Sequence, residues 1–184
     1  MPSSKTKKFP EELGVDFSVG FQKFSIAPIV KECLNAAEED QRSWRFQIEI
    51  KSTDDIALAK EWILFEMFLL GQAILNYFKG NAIGERVISS LHEACASKLI
   101  EHNIFDSLDE FANLLKQRYG YYLEALKLAA PDNTLLLSKR LLEQISGGEG
   151  NPIYLPAIAK YYFDISLAYE KLVREVMEEV HLVA

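Results

Sequence analysis

Histidine and cysteine, from which most metal and redox centres are built, are nearly missing from this chain: three and two residues in 184. Cys33 and Cys95 stand in unrelated segments, so the sequence offers neither a disulfide framework nor a CxxC site, and free thiols suit a cytoplasmic protein. Basic residues are also outnumbered, with a formal net charge of -7. An acidic protein repels phosphate backbones unless it carries a local basic patch. The only cluster, Lys5 to Lys8, falls in an expected terminal tail, so no nucleic-acid partner is expected. The first residues, MPSSKTKKFPEELG, have charge but no apolar segment of the secretory kind, and EEVHLVA at the other end carries no targeting motif.

Long apolar runs are equally rare. The strongest, Trp62 to Phe78, is 17 residues, at the short limit for crossing a bilayer. It carries Glu66, Gln72 and Asn76, and a charge near the middle would cost about 3 kcal/mol on insertion scales. A core helix is expected there, and no membrane association.

What remains is a 49% hydrophobic, 26% charged chain punctuated by Gly and Pro, the composition of one ordered domain. Residues 1–24 read as an N-terminal tail or extended lead-in, and 25–184 as a single all-α helical bundle of five to six helices. Ser25 is expected to cap a helix running to about Arg42. WRFQIEI, from Trp44 to Ile50, alternates with the period of a strand and is a candidate extended segment. A long helix follows a cap near Thr53 and stops at Gly80. Further helices are expected over Ile83 to Glu101, from a capping box at Ser107–Glu110 to Ala130, over Leu135 to Ile145, and from near Pro156 to about Val180. SGGEGNP, at Ser146 to Pro152, is the strongest loop.

Polar residues that break the helical pattern are the candidates for function. Around the long helix Glu61, Gln72, Asn76 and Lys79 gather in one strip, and Glu66 lies well away from it among Trp62, Ile63, Leu69, Leu70 and Ala73. Glu66 is therefore a candidate buried carboxylate that needs a partner. Arg118, at the margin of the apolar face formed by Leu108, Phe111, Leu115, Tyr119, Tyr122 and Leu126, offers two parallel hydrogen bonds. Glu66 is expected to pair with Arg118 or with a tyrosine hydroxyl, as a structural contact before a catalytic one. Tyr161, Tyr162 and Tyr169 share a face of the last helix with Ile158 and Ile165, so converging phenols would form a core network or a small pocket. Gly120 weakens its helix unless another backbone approaches there.

His92 and Cys95 are three residues apart and could share one metal ion, but two ligands fall short of a closed site. The inward-facing Glu-x-x-His pairs of di-iron bundles are not met either, because the single pair, Glu178 and His181, lies away from the apolar face. GGEG lacks the following Lys-Ser/Thr of a phosphate-binding loop, and no Gly-x-Ser-x-Gly elbow occurs. No metal or cofactor is expected.

The expected site is thus Glu66, Arg118, Tyr119, Tyr122, Tyr161, Tyr162 and His92, and two classes of function remain. One is a non-enzymatic module acting through protein–protein interaction, with a homodimer as the commonest case, or through small-molecule binding. The other is an enzyme with Glu66 as a general base in an Arg/Tyr-lined pocket. They differ in one observable: an enzyme needs an open pocket at Glu66.

Overall fold

The computed structural model describes residues 16–19, 22–25, 31–33, 35–36, 55–128 and 132–181. Five long helices dominate it: α1 (Asp55–Tyr77), α2 (Ala82–Glu101), α3 (Leu108–Leu126), α4 (Asp132–Ser146) and α5 (Leu155–His181). They form an all-α bundle in which α1 packs against all four of the others. Nine successive α1 residues, Trp62 to Leu70, are buried, which is what a helix apolar on almost every side requires. Each large side chain among them contributes on the order of 2 kcal/mol by leaving water. Among the described residues no helix is long and apolar enough to cross a membrane.

The helix ends follow local chemistry. After α1 the chain turns through Lys79 and Gly80, both at positive φ, and the glycine takes that conformation without strain. Asn81 then caps α2, its side chain accepting from the Ile83 and Gly84 amides. Ser107 caps α3 by accepting from the Glu110 amide at 3.2 Å. The Glu110 carboxylate reaches back to the amide of Asp106 at 2.7 Å, one residue earlier than in the usual capping box. A 3-10 turn at Pro152–Tyr154, capped by Asn151, leads into α5, where Pro156 sits in the first turn.

Three expectations are corrected. Ser25 ends a strand instead of capping a helix: Asp16–Val19 and Gln22–Ser25 form an antiparallel pair with Phe17 opposite Phe24 and Val19 opposite Gln22. Helical residues are described only from 31 onwards, at 31–33 and 35–36. α3 ends at Leu126, four residues before Ala130. Gly120 has open space beside it, so no close backbone approach explains it. The cap at Thr53 and the segment Trp44 to Ile50 lie outside the described residues.

Candidate functional site

α1 and α5 cross at Glu66. Its side chain is 0% exposed, and each carboxylate oxygen accepts a hydrogen bond from a phenol of α5: Tyr161 at Oε1 and Tyr169 at Oε2. These tyrosines are two helical turns apart, so their hydroxyls converge on one point of the neighbouring helix. Ring packing holds them there. Tyr161 stands edge-on to Trp62 with centroids 5.5 Å apart and is stacked against Phe65 at 6.5 Å. Cys33, fully buried, is also hydrogen-bonded to Tyr169 and brings the helical residues 31–33 to the same centre.

Arg118 goes elsewhere. Its guanidinium donates from Nε to Glu61 Oε2 at 2.6 Å and from Nη2 to Glu61 Oε1 at 2.5 Å, a two-point pair at the bundle margin. The expected Arg118–Glu66 contact is therefore replaced by a tyrosine pairing at Glu66 and a carboxylate from the polar strip at Arg118. Those carboxylate hydrogen bonds hold the guanidinium proton more firmly than usual. Tyr122 packs edge-on to Phe65 at 5.3 Å and is fully buried, yet its hydroxyl has no hydrogen-bond partner among the described residues.

His92 pairs with Tyr119, not with Cys95: Nε2 lies 3.0 Å from the phenol oxygen. Among the described residues no group of three or more His, Cys, Asp or Glu side chains could hold a metal ion. The pair borders an apolar groove of about 250 Å3 between α2 and α3, walled by Ala96, Phe111, Ala112 and Leu115, with Glu93 and Lys116 at its edge. Tyr162 stands apart from both places, half-buried and hydrogen-bonded with Ser166.

Burial sets the protonation of nearly every titratable group here. It pushes the Cys33 thiol well up, with Cys95 and Glu66 adding to the effect, and pushes Cys95 up to about 12. It raises Tyr119 and Tyr169, and in Tyr169 the neighbouring Glu66 charge acts in the same direction. His92 is pushed down to about 4 for the same reason, so its ring is neutral near pH 7. Thiols react as thiolates, so cysteines held this way are poor nucleophiles. The arrangement orients polar groups within the core and keeps both of these thiols protonated.

Sequence reasoning had not placed Cys33, Glu61 or Tyr169 in the site. Tyr169 was signalled by its face on α5, and Glu61 by its three-turn offset from Gln72 in the polar strip. Cys33 had no signal beyond its apolar neighbours Ile29 and Val30. The class defined is an all-α bundle centred on a carboxylate clasped by two tyrosines. No protein-family model, no curated protein and no solved structure matches the chain.

Proposed function

We propose that the protein is a non-enzymatic binding module whose ligand is a small, mainly apolar molecule seated in the groove between α2 and α3. The groove itself carries this reading: its walls are aliphatic and aromatic, and the His92–Tyr119 pair supplies one polar point, the usual composition of a small-molecule site. Against the enzyme alternative stands the sealing of Glu66, its candidate base, which has both oxygens bonded and no exposed surface. Two thiols kept protonated agree with a reducing, cytoplasmic setting.

The test uses indole, an aromatic ring with one N–H donor. It should bind saturably, shifting the NMR signals of Ala96, Ala112 and the His92 ring. Ala112→Trp, a change at an exposed position that fills the groove, should abolish the effect. Unchanged indole binding in that variant would remove the groove from consideration. A second reading, self-association, is favoured by Phe163 and Leu167, one turn apart on α5 and 59% and 52% exposed. Native mass spectrometry on protein purified without added ligand separates the two: a retained small molecule supports the first, and a bare dimer supports the second.

A further inference from the structure

Beyond Glu66 the interface of α1 with α5 becomes polar again. Gln72 and Asn76, one turn apart on α1, share a cavity of about 70 Å3 with Tyr162, Ser166 and Glu170, spaced a turn apart on α5. Phe68 and Leu126 are among its apolar walls. Tyr162 and Ser166 hydrogen-bond with one another. The side chains of Gln72, Asn76 and Glu170 have no hydrogen bond or ion pair with the described residues, although Arg174 lies one turn beyond Glu170. Among the described residues of the lining, Glu170 carries the only formal charge.

We infer that this cavity is a site for the ammonium head of a short-chain primary amine. Beside the two amide NH2 groups, the lining offers acceptors in two amide carbonyls, the Tyr162–Ser166 hydroxyl pair and one carboxylate, and an ammonium presents three donors and no acceptor. Glu170 supplies the complementary charge and turns anions away. A calcium ion takes about six to eight oxygens and more than one carboxylate, which this lining does not provide. Leu126, half-buried on the lining, gives a short alkyl chain an apolar surface, and the net charge of -7 draws cations towards the protein. The site shares no lining residue with the α2–α3 groove, so each stands or falls separately.

The side-chain NH2 signals of Gln72 and Asn76 report on this cavity directly. Titrating n-butylammonium chloride into the full chain should shift both saturably. Glu170→Gln, a change at an exposed position, should weaken that binding at least about tenfold. Ser166→Leu, which fills the cavity, should abolish it, with the remaining amide spectrum showing that each variant is folded. n-Butanol and potassium chloride should leave both signals in place. Equal affinity in Glu170→Gln, no saturable shift, or the same shift from butanol or potassium would overturn the proposal.

Discussion

Two glutamates five residues apart on α1 are held in opposite ways. Glu61 sits at the bundle margin with its side chain 12% exposed and meets a full positive charge, the two-point fork of Arg118. Glu66 sits at the centre, 0% exposed, and two phenols of α5 donate to its oxygens. The difference follows from desolvation. At the margin water completes the hydrogen bonds of both ions. At the centre a guanidinium would bring its own desolvation cost and five N–H groups to satisfy. A tyrosine brings one hydroxyl on an apolar ring, so most of what it buries is already suited to the core.

The hardest test of that contrast is Glu66→Leu. It removes the carboxylate that accepts from two phenols and should cost about 3–5 kcal/mol by urea unfolding, with Glu66→Gln costing less. Adding Tyr161→Phe and Tyr169→Phe to Glu66→Leu should restore most of the loss, because the phenol donors are removed together with their acceptor. If Glu66→Leu and Glu66→Gln both matched the parent in stability, the clasp would be energetically empty.

A half-buried group, His92, extends the comparison to pH. Its folded pKa of about 4 lies below the unfolded 6.5, so acid favours the unfolded chain, which takes up the proton first. The stability is fully present above pH 6.5 and is lost as pH falls towards 4, by on the order of 3 kcal/mol. His92→Phe should flatten this part of the stability–pH curve. An unchanged curve in the variant would assign the acid sensitivity to other groups.

Arg118→Met should cost less, about 1–2 kcal/mol, since Glu61 retains access to water. Part of that difference should vanish in high salt, whereas the cost of Glu66→Leu should not. The smallest effect belongs to Tyr122→Phe. Removing a buried hydroxyl with no partner should leave stability unchanged or raise it by up to about 1 kcal/mol, in contrast to a loss for Tyr169→Phe. A loss for Tyr122→Phe as large as that for Tyr169→Phe would mean the Tyr122 hydroxyl is bonded after all.

Helix positions were legible because they are written locally: Gly80 as a stop, Ser107 as a cap, Pro156 as a first-turn residue. The burial of Glu66 was legible too, since its angle around α1 sets it among apolar neighbours. Its partner was not. Arg118 matched it in charge, but angles around single helices carry no information on which two helices cross, or at what height. The hairpin was missed because four-residue strands give too little alternation to outweigh a plausible Ser cap. Its signal was Gly20, the first of two residues between the strands, a preferred place for glycine in a tight hairpin. The groove and the α1–α5 cavity depend on side chains from separate elements, and no spacing along the chain announces them.

The two-phenol clasp also acts as a ruler along the bundle. Sliding α5 by one turn in either direction, about 5.4 Å, would bring Ala157 and Ile165, or Ile165 and Val173, to the places of Tyr161 and Tyr169. None of these side chains can donate a hydrogen bond. Apolar packing alone tolerates such slippage between two long helices far better, so a carboxylate that adds little to net stability selects one alignment of α1 and α5 out of several that are equally greasy.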